Sequence, residues 1–161
     1  MPLAKPDPLQ RVIVDAALEI ASGVGPDAIS MRELARQANV SHQAPYHHFG
    51  DRAGIFAAIC EEGFAILGNE MQENRNLGAE ALCESYVRFA LNHRGHFRVM
   101  FRTDLCDMAS YPNAAIQQTA HLEFCMTKLF RLSGSRCGRI CYSNTDGLHV
   151  VGGTRVIHVA H

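Results

Sequence analysis

Apolar positions recur at helical spacing almost from the start of the chain. Leu9, Val12, Ile13, Ala16, Ala17 and Ile20 fall on one face of an amphipathic first helix, which Gly23, Gly25 and Pro26 end. Pro2, Pro6 and Pro8 hold the residues before it in an extended arm. Ser30 suits an N-cap, with Glu33 completing a capping box, and the helix they open carries Met31, Leu34, Ala35 and Ala38 on one face. Asn39 suits the left-handed conformation of a tight turn. Ser41 then caps a short third helix ending near Phe49, and Gly50 breaks the chain. Asp51 caps a fourth helix whose apolar face is Ile55, Phe56, Ile59, Cys60, Phe64 and Leu67. Beyond Asn74 the spacing resumes through Leu82, Tyr86, Val87 and Ala90, followed by a short segment with Phe97, Met100 and Phe101. After a loop at Tyr111 and Pro112, a helix from about Asn113 to Arg131 presents Ile116, Ala120, Phe124 and Leu129. Strand-like patterning appears only beyond it, so the expected fold class is all-α.

Composition narrows the possible functions. A net charge of −1 means that any nucleic-acid binding comes from a local, shaped surface rather than from bulk basicity. No apolar run is long enough to span a bilayer and the first residues lack a signal peptide's apolar stretch, which gives a cytoplasmic expectation. The 6 cysteines contain no CxxC pair, and Cys60, Cys83, Cys106 and Cys125 sit in apolar helical stretches, as buried free thiols do. His121 and Cys125 lie one helical turn apart, but two ligands do not make a metal site, so no metal or cofactor is expected. A glycine-rich phosphate loop, a nucleophile elbow and an HExxH run are all absent, and the chain does not read as an enzyme.

The informative stretch is the pair of short helices around Asn39. Two short helices joined by a tight turn and braced by a first helix make a helix-turn-helix unit, whose second helix lies in the major groove. Residues 41 to 49 (Ser41, His42, Gln43, Ala44, Pro45, Tyr46, His47, His48, Phe49) are short or polar where a core helix is apolar. Gln43 can read adenine through two hydrogen bonds, or donate to a phosphate. Tyr46, His47 and His48 offer hydrogen bonds and stacking surface, Phe49 anchors the helix, and Arg52 can clamp a phosphate. The pattern alone also fits a solvated surface helix, and Pro45, near the first turn, fits both readings.

The run from Ala28 to Ala35, then Asn39, Val40 and Ser41, then Pro45 to Phe49, then Asp51, Arg52, Ile55 and Phe56, resembles the DNA-binding head of the TetR family of bacterial regulators. The resemblance covers roughly residues 10 to 60 without a gap. It implies that Ser30, His42, Tyr46, His47 and Arg52 touch phosphates while Gln43, Ala44 and Pro45 face bases of an operator in double-stranded DNA. His42 and Arg52 stand where the family commonly has lysine, which makes binding more pH-sensitive. It further implies a repressor, homodimeric through its last two helices, with a small-molecule effector bound in the helical body. Candidate pocket residues are Phe64, Tyr86, Phe89, Phe97, Met100, Phe101, Met108 and Phe124, each of which also reads as ordinary core.

The expected organisation is a head over residues 9–50, an incomplete body over 51–131 and an atypical tail over 132–161. The stretch from Tyr86 to Arg102 resembles one TetR subgroup whose body later carries a Trp-x-x-x-His-Gly motif, yet this chain has no tryptophan and its tail is rich in glycine. Codons can be chosen for His149 to Ala160 such that reading one base later gives MWSVVHGLSMLL, which contains that motif. The tail beyond about Leu132 is therefore expected to be out of frame. The alternative reading of the whole chain is a monomeric or non-functional remnant without dimerisation helices.

Overall fold

The computed structural model describes residues 7–121 and the backbone of three strands at 140–143, 147–152 and 155–158. The helices are α1 (Pro8–Gly23), α2 (Met31–Gln37), α3 (Ala44–Phe49), α4 (Arg52–Glu73), α5 (Ala79–Asn92) and α6 (Arg94–Met100), and residues 112–121 form a further helix, α7. Single 3-10 turns lie at Pro26–Ala28 and Met108–Ser110. The all-α expectation holds across residues 7–121.

Local chemistry explains most of the boundaries. The Asp7 side chain accepts from the Leu9 amide and Pro8 supplies a preset φ, so α1 starts one residue ahead of Leu9. Ser30 caps α2 by accepting from the Glu33 amide at 3.2 Å, but Glu33 gives its carboxylate to Arg36, so only half of the expected box forms. Asn39 has φ 53°, as the turn demands. Asp51 caps α4 through the Gly54 amide at 2.8 Å. Ser41 does not cap α3; that helix begins at Ala44 behind Gln43, and only the Ser41 carbonyl takes part, accepting from the Ala44 amide.

The core runs along α4. Phe56, Phe64, Ile55, Ile59 and Leu67 are fully buried, and each such side chain contributes about 1.5–3 kcal/mol by leaving water. That far exceeds what helix propensity supplies, so packing holds α4 in place. Around it lie Ile13, Ala17 and Ile20 of α1, Leu34 of α2, Leu82 and Phe89 of α5, and Val99 and Met100 of α6. Val12, expected on the inner face of α1, is 44 % exposed; Val14 and Ala21 face inward instead, because α1 is covered by α6 as well as by α4. Gly95 permits that α1–α6 contact, since a Cβ there would stand 2.6 Å from the Leu18 carbonyl oxygen. On α7 the inner residues are Ala114 and His121, whereas Ile116 and Ala120 are exposed, so the helix is rotated from the expected face. Phe124 and Leu129 lie outside the described residues. In the tail, β1 (Ile140–Ser143), β2 (Gly147–Gly152) and β3 (Arg155–His158) pair as an antiparallel meander, with Cys141 opposite His149 and Val150 opposite Ile157.

Candidate nucleic-acid interface

The fold lifts one end of α3 into solvent. Ala44 and Pro45 are buried and seat the helix against the core. This corrects the expectation that they face bases: two small apolar residues at the first turn are what the head uses to hold α3. Ser41, His42, Gln43, Tyr46 and His47 are exposed together on the outer side, with His48 partly buried. Tyr46 is 45 % exposed, and its ring lies 5.8 Å from that of His42 one turn earlier. His48 leans toward Phe49, which packs on the core. Ser30 stands at the start of α2, its oxygen accepting the capping bond and its hydroxyl proton left to donate. Arg32 is exposed on the first turn of the same helix, a position that the sequence pattern does not single out.

Arg52 takes a different place from the one expected. Its guanidinium donates to the carbonyls of Pro26 at 3.0 Å and Asp27 at 3.2 Å and lies over the Phe56 ring at 5.0 Å. It therefore ties the start of α4 to the turn that leads into α2, and a phosphate would have to draw it away from those carbonyls. Arg52 is a brace of the head in this structure.

The body grips the head through α6 and the segment after it. Arg98 Nη1 donates to the carbonyls of Ala21, Ser22 and Gly23, the open end of α1. Arg102 pairs with Asp27 at 3.1 Å and also with Asp104, and its guanidinium holds the Asp27 carboxyl below its ordinary range. The Tyr111 hydroxyl reaches the Asp51 carboxylate at 3.4 Å.

Four of the expected pocket residues do come together. Phe64, Tyr86, Phe97 and Phe101 form one ring cluster, with Phe64 edge-on to Phe101 at 5.7 Å and Tyr86 edge-on to Phe97 at 5.9 Å. His121 completes it, 5.6 Å from Phe64 and stacked on Tyr86. Burial pushes the His121 imidazole down to about 4, so it is neutral at ordinary pH. The sequence offers His121 only as a metal ligand, and this aromatic role is new. Phe89 makes no ring contact with the cluster; it stacks on His93 at 5.0 Å. Met100 is buried against Gly63 of α4. Met108 opens the second 3-10 turn, and Phe124 lies outside the described residues. Among the described residues no group of three or more His, Cys, Asp or Glu side chains could hold a metal ion, and no helix is long and apolar enough to cross a membrane. Cys60 is buried, and its thiol is pushed up to about 12.

Residues 13–59 match the family model of bacterial regulatory proteins, tetR family. The chain is 31 % identical over 93 residues to the uncharacterized HTH-type transcriptional regulator YobS of Bacillus subtilis (strain 168), covering 55 % of this chain and 49 % of that protein. It is 24 % identical over 119 residues to an uncharacterized HTH-type transcriptional regulator of Haemophilus influenzae, covering 70 % and 58 %. The chain thus spans about half the length of the curated relatives it matches. Among solved structures, a tetR-family regulatory protein from Rhodococcus RHA1 superposes with a TM-score of 0.64 at 17 % identity, over 81 % of this chain and 72 % of that one. PfmR, a TetR-family transcriptional regulator from Thermus thermophilus, does so with a TM-score of 0.61 at 20 % identity, over 80 % and 74 %. Residues 13–59 thus match the tetR family of bacterial regulatory proteins, and the chain shares the fold of these solved structures.

Proposed function

We propose that the chain is a DNA-binding transcriptional regulator, a cytoplasmic repressor that leaves its operator when a small molecule enters the helical body. The observation that carries this reading is the exposed group Ser41, His42, Gln43, Tyr46 and His47, raised on a short helix whose other side is seated by Ala44 and Pro45. The relatives, which are HTH-type transcriptional regulators, support it. Ser30 and Arg32 flank that group as phosphate donors, and Gln43 is the base reader.

Gel shifts against operator fragments selected from genomic DNA test the assignment. Tyr46→Ala weakens binding to all sequences alike, since it removes a backbone contact. Gln43→Ala costs about 1–3 kcal/mol at the preferred operator and relaxes base preference there. Unchanged affinity in both variants rules out α3 as the groove helix.

The ring cluster of Phe64, Tyr86, Phe97 and Phe101 is the proposed effector site, and α6 is its link to the head. The intact regulator works as a homodimer on a palindromic operator. For the tail we retain the out-of-frame reading, supported by the change from helical to strand-forming pattern beyond α7. Sequencing the gene across the codons near Leu132 decides it, and an early stop in the shifted frame ends the idea.

A further inference from the structure

Two buried side-chain nitrogens among the described residues lack a hydrogen-bond partner, Arg52 Nε and His96 Nε2. Arg52 has its Nη2 engaged by two carbonyls, whereas the His96 imidazole is 6 % exposed and faces a carboxylate across a gap. Its Nε2 stands 3.8 Å from Glu62 Oε2, beyond a hydrogen bond but within reach of an ion pair. The arrangement is repeated three residues earlier, where His93 Nε2 stands 3.7 Å from Glu70 Oε1. The two imidazoles meet edge to face at 5.7 Å, and Phe89 of α5 stacks on His93.

Their position in the fold is specific. Glu62 and Glu70 are two turns apart on α4, while His93 ends α5 and His96 lies in the first turn of α6. From α1, Arg11 donates to Glu62 at 2.6 Å and also holds Asp15. Arg11 thus serves Asp15 and Glu62, while the third carboxylate, Glu70, faces His93; two imidazole protons would bring these groups together to neutrality. His96 and Arg11 hold the Glu62 carboxyl down at about 2 against the opposing effect of burial. Glu62 therefore stays ionised throughout the ordinary pH range.

We propose that the α5–α6 elbow is an acid-set clasp, in which protonation of His93 and His96 closes both gaps to Glu70 and Glu62 and draws α6 onto α4. The orphaned Nε2 then has its partner. Because α6 also holds the end of α1 through Arg98, closing the clasp stiffens the seat of the head. The clasp stands independently of the DNA-binding reading; only its consequence for an operator rests on it.

The test is thermal unfolding of the full chain between pH 8 and pH 6, for the wild type and His93→Gln/His96→Gln. A folded state that takes up protons more readily than the unfolded chain gains stability as pH falls through the imidazole range and loses it as pH rises. The wild-type midpoint should therefore rise relative to the double variant by about 2–4 °C or more toward pH 6. His121 acts in the opposite sense, since burial lowers it from 6.5 to about 4, but both proteins keep it and it cancels in the difference. Midpoints that run parallel overturn the proposal. Should the double variant not fold, NMR titration of the imidazole signals in wild type and Glu62→Gln decides the question. A His96 titration that moves to lower pH in Glu62→Gln supports the clasp, and one that does not move overturns it. No arm of this test uses DNA, so its failure and the failure of the operator reading are separate results.

Discussion

Gly54→Ala should destabilise the protein by about 1–3 kcal/mol, whereas Gly68→Ala in the same helix should stabilise it by up to about 1 kcal/mol. Alanine in place of glycine ordinarily favours a helix by removing freedom from the unfolded chain. At Gly68 nothing lies within 4 Å of the added Cβ, so that gain is realised. At Gly54 the same carbon would stand 2.0 Å from the Phe49 carbonyl oxygen and 3.1 Å from its carbonyl carbon. Backbone cannot swing aside as a side-chain tip can, so the junction between α3 and α4 must open. That junction also carries the Asp51 cap on the Gly54 amide, and α3 is the proposed groove helix. Gly54→Ala therefore loses operator affinity beyond what its stability predicts, because α3 is re-aimed. Paired urea melts and gel shifts check both signs. Equal and small effects at the two positions would mean that α3 and α4 separate without strain.

The head is legible in the sequence because its signals are local. Ser30, Asn39, Gly50 and Asp51 each act on backbone within three residues, and each does in the structure what its chemistry suggests. Periodicity likewise places the inner face of α4, where a long helix offers many repeats. What stays hidden depends on a second element. Whether Val12 is covered depends on how α6 crosses α1, and the rotation of α7 depends on the ring cluster it meets. Ala44 and Pro45 read as groove residues from family position, yet small apolar side chains suit a buried seat better. Arg52 reads as a phosphate clamp because the carbonyls of Pro26 and Asp27 that engage it are 26 and 25 residues away in sequence. The pairing of Glu62 with His96 and Arg11 leaves no trace at all, since ion pairs between helices have no fixed spacing.

A lower pH than any histidine requires also has a defined consequence at Glu62. With its carboxyl held at about 2 against an ordinary 4.5, the group contributes stability that is fully present above about 4.5 and is lost as pH falls toward 2. Glu62→Gln should therefore flatten acid unfolding in that window, as followed by circular dichroism.

The last expected result concerns how the body speaks to the head. Along α6, Phe97 and, just past its end, Phe101 point into the ring cluster, while Arg98 and Arg102, each one residue on, point to the head. Spacing of four residues puts each pair on one face, so a tilt forced on the aromatic face moves the arginine face with it. The two arginines differ in weight. Arg102 and Asp27 are 36 % and 73 % exposed, so water screens that pair and it contributes little. Arg98 instead serves three carbonyls at the end of α1, where the helix dipole adds to the attraction, and losing it should cost about 1.5–3 kcal/mol. Arg98→Met keeps the packed stem and removes the charge, so the loss is that of the carbonyl contacts. Coupling is read by a double-mutant cycle on operator affinity. Phe101→Ala should change affinity in the wild-type background, and that change should vanish in Arg98→Met while persisting in Arg102→Met. Additive effects of Phe101→Ala and Arg98→Met would show that the ring cluster reaches the head by another route, such as Tyr111 on Asp51.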